Sequence, residues 1–315
     1  EASSLPPATI ADIAKEVRGS AIGDYHTKTR QEVIVAKHLG DPDVQKAANL
    51  KDAFKILQKK EQGARNVSIA QAVGPQVLAA SHTLQLGDSE DLAALLPAGT
   101  FDCICTDPPY GMGADTFGDA GQGTAMGAHF YDDSYEHWCE IMDWFCPASA
   151  RLAKPDAHAY VFCDLDRFAE LRERMGRAGW KVHRTPIIWH KPGNFRSPWP
   201  EHGPQRKYET ILYAIKGDRK VTRIAPDLVT CSTDANLGHP AQKPVELLRD
   251  FISRSCGAGE RVLDFFAGTG GILEAAHLCK CSATAFEQDP QSYGIAVTRL
   301  ETIQRAAEAQ KDLLP

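Results

Sequence analysis

Long apolar runs are missing from this sequence, which excludes a bilayer-spanning helix, since that needs about 20 consecutive apolar residues. The opening stretch EASSLPPATI lacks the basic and apolar regions of a secretory leader, so a cytoplasmic protein with no membrane partner is expected. Paired CxxC spacings are also absent. The nine cysteines include Cys103, Cys105, Cys163 and Cys256 in apolar or element-terminal settings, and Cys279 and Cys281 with no second pair. That pattern argues against structural zinc and for reduced thiols packed as small hydrophobes, and no metal is expected. Internal repeats and low-complexity tracts are missing too. Positive charge is in deficit overall, with 35 Lys and Arg against 41 Asp and Glu and a net charge of -6. The deficit does not exclude nucleic acid, because phosphates respond to the local field rather than the sum. Between Arg172 and Arg223 the cations outnumber the carboxylates, so that segment is the candidate basic surface.

What is present is a chain of 315 residues, 43% hydrophobic, enough for one large α/β domain and a smaller attachment. Residues 9–73 carry apolar positions at spacings of three and four, punctuated by Gly40-Asp41-Pro42 and Gly63. Residues 1–80 are therefore expected to form a small helical N-terminal module, for which DNA contact is one reading. Residues 81–315 read as a second domain, in which strands alternate with helices as in a doubly wound, Rossmann-like parallel sheet. The expected strands are Phe101–Thr106, Ala157–Cys163, Lys181–Trp189, Glu209–Ile215, Arg261–Phe265 and Ser282–Glu287. Helices are expected over Tyr135–Cys146, Asp166–Ala178, Pro244–Cys256, Gly271–Cys279 and Gln291–Ala307. No helix separates Lys181 from Ile215, so those two strands are expected to form an antiparallel hairpin at one edge. Gly111–Asp133 is glycine-rich and aperiodic, and a loop of that length is expected to be a lid over a site.

Two turns carry the chemistry. Asp107-Pro108-Pro109-Tyr110 directly follows the apolar strand FDCICT. Asp264-Phe265-Phe266-Ala267-Gly268-Thr269-Gly270-Gly271 joins the strand RVLDFF to a helix, with glycines that let the backbone approach a ligand. Such a turn fits nicotinamide, flavin and methyl-donor enzymes alike. Glu287, at the end of the next strand, can accept hydrogen bonds from both hydroxyls of a ribose and so points to a nucleoside cofactor. It does not separate a dinucleotide from S-adenosylmethionine. Ligands of open α/β sheets sit outside the carboxyl ends of the strands, so if these two strands are neighbours, both turns face one crevice.

Together these residues resemble the amino-methyltransferases of DNA, in the beta-class order in which the catalytic motif precedes the cofactor motif. The resemblance covers roughly Leu84 to Leu300. It implies that Asp107, Pro108, Pro109 and Tyr110 are catalytic and that S-adenosylmethionine is the cofactor. The methyl-donor pattern D-x-F-x-G-x-G is met by Asp264, Phe266, Gly268 and Gly270, with Ala267 and Thr269 between them. LQLGD is similar to the segment whose acid, here Asp88, reaches the cofactor adenine. KYETILYAIKG and GWKVHRTPIIWHK are similar to the family's edge strands, and HPAQKP resembles the HPxxKP element, placing Lys243 near the methionine end of the donor. The segment between the edge strands and HPAQKP, Gly217 to Gly238, is short for a target-recognition region.

The resemblance further implies that Asp107 and the Pro108 carbonyl hold the two hydrogens of an exocyclic base amine, while Tyr110 stacks on a base taken out of the helix. The expected substrate is DNA, with N6 of adenine favoured because serine is common at position 107 in the cytosine-N4 members; N4 of cytosine is the alternative. From other classes, a nicotinamide oxidoreductase leaves Asp107-Pro108-Pro109-Tyr110 idle, and a catalytically silent DNA-binding protein leaves the donor motif idle. The loop GNFRSPWPEHGPQRK interleaves Arg196, Trp199, Arg206 and Lys207 and is the expected DNA contact, since cations meet phosphate and an aromatic can enter a stack. A homodimer is kept open among the expected partners.

Overall fold

A computed structural model describes residues 24–112, 132–193, 204, 207–233 and 242–312. Chain contacts separate two units, and their boundary within the helical region is at Gly63.

In the first unit α1 (Asp24–Ala36), α2 (Pro42–Gln45) and the opening of α3 (Leu50–Val73) gather Val35, Val44, Ala53 and Leu57 into a small core. The Gly40-Asp41-Pro42 punctuation acts as a helix start. Asp41 caps α2 by accepting from the Asp43 amide at 2.9 Å, and Pro42 occupies the first turn, where no amide is needed. Lys60 closes the corner with ion pairs to Asp41 at 2.6 Å and Asp43 at 2.8 Å.

The second unit is built on one sheet. Its strands are β1 (Gln76–Ala79), β2 (His82–Leu86), β3 (Phe101–Thr106), β4 (Ala153–Cys163), β5 (Lys181–Val182), β6 (Ile187–His190), β7 (Tyr208–Lys216), β8 (Leu228–Thr230), β9 (Arg261–Asp264) and β10 (Ser282–Glu287). They run in the order β1-β2-β10-β9-β3-β4-β7-β6-β8, with β5 paired beside β7. From β2 to β4 the strands are parallel, and β7 is antiparallel to both β4 and β6. The helices of this unit, after the end of α3, are α4 (Ser89–Leu95), α5 (Tyr135–Leu152), α6 (Leu165–Arg177), α7 (Val245–Ser255), α8 (Gly271–Leu278) and α9 (Pro290–Asp312).

Side chains of β4 alternate between two cores, as a pleated strand buried on both faces requires. Tyr160 and Phe162 pack with α7, α8 and α9 residues such as Phe251, Leu273 and Val297, while Ala159 and Val161 pack with α5 and α6 residues such as Phe145 and Leu171. The expected doubly wound α/β sheet is present, and every residue of FDCICT is buried at its centre. No described helix is long and apolar enough to cross a membrane.

Several details differ from expectation for local reasons. Lys181–Trp189 divides into β5 and β6 around Pro186, which has no amide to give a ladder. The β6–β7 hairpin is antiparallel as expected, but β8 pairs parallel to β6 and takes the outermost place. α5 continues past Cys146 through Pro147 because Ala150 and Leu152 bury apolar surface that outweighs the lost hydrogen bond. The β1–β2 hairpin is new: its turn residues Ala80 and Ser81 both have positive φ, 48° and 77°, where glycine or asparagine is the usual sequence signal.

Candidate active site

β3 and β9 lie side by side and parallel, with Cys103 opposite Val262 and Ile104 opposite Leu263. The two motif turns therefore leave the same end of the sheet from adjacent strands. Thr106, the last residue of β3, ties them: its Oγ1 donates to Asp264 Oδ1 at 2.7 Å and accepts from the Phe265 amide at 3.1 Å. The Phe266 amide donates to the same Asp264 oxygen at 3.0 Å. Burial pushes the Asp264 carboxyl up to about 7, against the lowering effect of these hydrogen bonds.

Beyond β9, the turn bends back toward β10. The Ala267 amide donates to the Phe286 carbonyl at 2.8 Å, and the Gly268 amide to Glu287 Oε2 at 2.7 Å. Glu287 Oε1 accepts from the Asp289 amide at 2.8 Å. Burial raises the Glu287 carboxyl to about 7 even with these backbone donors. Gly268 and Gly270 take left-handed φ values of 52° and 77°. A Cβ at Gly268 would meet no atom within 4 Å, whereas one at Gly270 would lie 2.8 Å from Ala296 Cβ. Thr269 is buried and its carbonyl accepts from Arg299 Nε at 3.0 Å; Phe266 is half-buried, tilted against Trp144 at 6.1 Å between ring centroids.

β2 extends the row, since Leu86 is paired with Glu287 and the Gly87 amide donates to the Glu287 carbonyl at 2.9 Å. The exposed Asp88 follows and caps α4, accepting from the Glu90 amide at 2.8 Å and the Asp91 amide at 3.3 Å. Asp88, Glu287, the 264–270 turn and the 107–110 turn thus stand in sequence along the carboxyl ends of β2, β10, β9 and β3. The residues fit a nucleoside cofactor: a carboxylate with acceptor capacity at a strand end, beside a glycine whose front is open.

The 107–110 turn is densely charged. Tyr110 Oη donates to Asp107 Oδ1 at 2.9 Å and lies 3.1 Å from Glu209 Oε2. Lys243 Nζ pairs with Asp107 Oδ2 at 2.6 Å and Glu209 Oε2 at 3.3 Å, and Lys191 pairs with Glu209 Oε1. Pro108 is buried, and Asp107 keeps 24% of its side chain exposed. Burial raises the Asp107 carboxyl above the usual range, with Lys243 opposing and Glu209 reinforcing the shift. Burial acts the same way on Glu209, yet Lys243 and Lys191 outweigh it and hold that carboxyl at about 2. Lys243 stays protonated, because the two carboxylates outweigh its burial. Its ammonium also lies over the Tyr110 ring at 5.3 Å.

Asp133 shapes the exit from this turn. Its Oδ1 accepts from the amides of Tyr110 and Gly111, both at 2.9 Å, and its Oδ2 from Met112 at 3.3 Å. The Gly111 carbonyl accepts from Arg167 Nη2 at 3.0 Å. Gly111 has φ 67°, and a Cβ there would stand 2.7 Å from Trp138 Cβ.

The structure thus gathers every sequence-predicted catalytic and cofactor residue at one end of the sheet, with Lys243 seated against Asp107. Glu209, Lys191 and Asp133 escaped sequence reasoning, although Glu209 and Lys191 lie within the segments read as edge strands. Arg196, Trp199 and Arg206 lie outside the described residues, as do 113–131 of the expected lid. Lys207 is at the mouth of the β6–β7 hairpin, where its Nζ donates to the Gly193 carbonyl at 2.6 Å.

Comparison with known proteins agrees with this geometry. A family model described as DNA methylase, covering N6 and N4 enzymes, matches residues 101–298. The type II methyltransferase M.Cfr9I of Citrobacter freundii is 25% identical over 265 residues, spanning 70% of this chain and 87% of its own. Among solved structures, the complex of M1.HpyAVI with SAM superposes with a TM-score of 0.52 at 20% identity, covering 69% of this chain and 98% of that one. The cytosine-N4-specific PvuII DNA methyltransferase gives 0.53 at 18% identity, covering 72% and 92%.

Proposed function

The chain belongs to the DNA methylase family of N6 and N4 amino-methyltransferases, whose cofactor is S-adenosylmethionine, and on that premise we propose that it methylates N6 of adenine in DNA. One observation carries the reading: the Asp107 turn and the 264–270 turn leave adjacent parallel strands at the same end and are joined through Thr106 and Asp264. Asp264, Phe266, Ala267, Gly268, Thr269, Gly270, Glu287 and Asp88 would hold the cofactor, which supplies an electrophilic sulfonium methyl.

An exocyclic amine is a weak nucleophile because its lone pair is delocalised into the ring. Asp107 and the Pro108 carbonyl, as acceptors for its two hydrogens, draw nitrogen toward tetrahedral geometry and give the lone pair a direction. Asp107 is suited to receive the proton released after transfer, since burial already raises its carboxyl. The protein's contribution is position and fixed charge around the nitrogen. Tyr110 offers a ring on which a base taken out of the helix can stack, worth about 1–3 kcal/mol.

Aspartate at position 107, where cytosine-N4 members commonly carry serine, supports adenine over cytosine. The test is mass spectrometry of nucleosides from unmethylated DNA incubated with the protein and S-adenosylmethionine. N6-methyladenine is expected; N4-methylcytosine would reassign the base, and neither product would remove the proposed activity.

A further inference from the structure

Asp107 is already engaged by two donors. Both of its oxygens are already engaged, Oδ1 by the Tyr110 hydroxyl at 2.9 Å and Oδ2 by the Lys243 ammonium at 2.6 Å. A base amine that reaches Asp107 must share the carboxylate with these two donors and compete with them for its charge and for space around it. Loosening a buried ammonium from its carboxylate with nothing in exchange is strongly unfavourable, so a second acceptor within reach of both donors lets them yield to the amine.

Glu209 is that acceptor in geometry. Its Oε2 is 3.1 Å from the Tyr110 oxygen and 3.3 Å from Lys243 Nζ, so each donor that covers Asp107 is shared with Glu209. The ammonium has three N–H groups and can turn toward Glu209 without leaving its pocket, and the single phenolic hydrogen changes partner by rotation about its C–O bond. The other oxygen of Glu209 is anchored by Lys191. β7 fixes the backbone of Glu209, which is paired with Trp189 of β6. Glu209 also stays ionised across the working pH range, as its carboxyl is held at about 2.

We propose that Glu209 is a positioning residue for the amine-accepting site: it takes over Lys243 and the Tyr110 hydroxyl when the target amine occupies Asp107. The inference rests on the methyl-transfer reading above and extends it to a residue that does not touch the base. Neutralising Glu209 leaves Lys243 with Asp107 as its single counter-charge in this cluster, so the cap tightens and the amine is kept out.

The test compares wild type, Glu209→Gln, Glu209→Asp, Lys243→Met and the Glu209→Gln/Lys243→Met double variant. Transfer of labelled methyl from S-adenosylmethionine to unmethylated genomic DNA gives kcat and KM for DNA, and calorimetry gives donor affinity. Glu209→Gln is expected to lower kcat/KM for DNA by at least tenfold with donor affinity within twofold of wild type. Glu209→Asp keeps the charge and is expected to recover most of the loss. In the Lys243→Met background the same Glu209→Gln change is expected to cost less than threefold, because the charged one of the two shared donors is gone and only the Tyr110 hydroxyl remains. Equal losses in both backgrounds would overturn the proposal, as would wild-type kinetics in Glu209→Gln. If Glu209→Gln loses donor binding through misfolding, Glu209→Asp decides, and failure of that charged variant to exceed Glu209→Gln in turnover overturns the proposal. A wild-type protein that transfers no methyl to DNA sinks the functional reading itself, whereas an active wild type with an indifferent Glu209 sinks this inference alone.

Discussion

Thr106 Oγ1 and Asp264 Oδ1 are 2.7 Å apart, joining the last residue of one motif strand to the last residue of the other. The same hydroxyl accepts from the Phe265 amide, so one small side chain fixes the relative height at which the two turns leave the sheet. Methyl transfer depends on that height, because misplacing reacting atoms by about 1 Å can cost on the order of a hundredfold in rate.

Thr106→Val tests this pin with little change of volume. It strands a buried amide and removes a donor from a buried carboxyl, and is expected to lower stability by about 1–3 kcal/mol in chemical denaturation. Donor affinity and turnover should fall together. A variant with the wild-type denaturation midpoint and full turnover would show that the bond pins nothing.

Gly268 and Gly270 separate ligand approach from packing. Both have left-handed φ, so alanine at either position costs about 1–2 kcal/mol of backbone strain. At Gly268 the added methyl meets no protein atom, and the variant should fold while binding S-adenosylmethionine at least tenfold more weakly in calorimetry, an estimate of about 1.4 kcal/mol or more. At Gly270 the methyl also overlaps Ala296 Cβ, so overpacking adds roughly 1–3 kcal/mol and the loss appears first in thermal unfolding. Equal donor affinity in Gly268→Ala and wild type would place the cofactor elsewhere.

Asp107→Ala is expected to abolish methyl transfer while donor binding survives. The fold should tolerate it, since Lys243 keeps Glu209 as a partner at 3.3 Å. Radiolabel transfer and calorimetry on one preparation check both halves, and measurable wild-type turnover would take Asp107 out of the reaction.

The 107–110 and 264–270 turns were legible in the sequence because each is contiguous: a largely buried strand followed by an uncommon turn. Their meeting at one end of the sheet depended on strand order, which no local pattern specifies, and β3–β9 adjacency supplies it. Glu209 was not legible, since Lys191 is 18 positions away in the chain and Tyr110 is 99. Its carboxylate reads as an ordinary solvated position in KYETILYAIKG until β7 is laid beside β4 and β6. Asp133 is hidden likewise, 22 residues from the Gly111 amide it holds. The β1–β2 hairpin stayed invisible because Ala80 and Ser81 occupy positions whose usual residues would have announced a turn.

The raised carboxyls predict a pH dependence with a definite sign. Glu287 rises from 4.5 to about 7 and Asp264 from 3.8 to about 7 on folding, so between these limits the folded chain binds more protons than the unfolded one. Stability contributed by these groups is present below about pH 4 and is lost as pH rises toward about 7. Donor binding runs the other way if ionised Glu287 accepts from the ribose hydroxyls: affinity should rise about tenfold between roughly pH 6 and pH 8 as that carboxyl ionises. Calorimetry across this range, with Glu287→Gln as the control that flattens the curve, checks it. A pH-independent wild type would remove Glu287 from donor binding.

Binding to DNA should depend on salt through the hairpin mouth. β7 is antiparallel to β4, with Thr210 opposite Cys163, so the end of β6 and the start of β7 lie at the same end of the sheet as the 107–110 turn. Lys207 is fixed there, its carbonyl accepting from the Lys191 amide at 2.8 Å, and Arg206 precedes it in sequence. A cation at Lys207 can hold a phosphate beside a base presented to Asp107. Each phosphate neutralised contributes a slope of about -0.9 to log K against log salt, so Arg206→Ala with Lys207→Ala should reduce the slope by up to roughly 1.8. Affinity should weaken similarly for unrelated sequences, because phosphate contacts carry no base information. Fluorescence anisotropy on two duplexes at several salt concentrations measures both quantities; an unchanged slope would exclude this loop from the DNA interface and shift attention to the helical N-terminal unit.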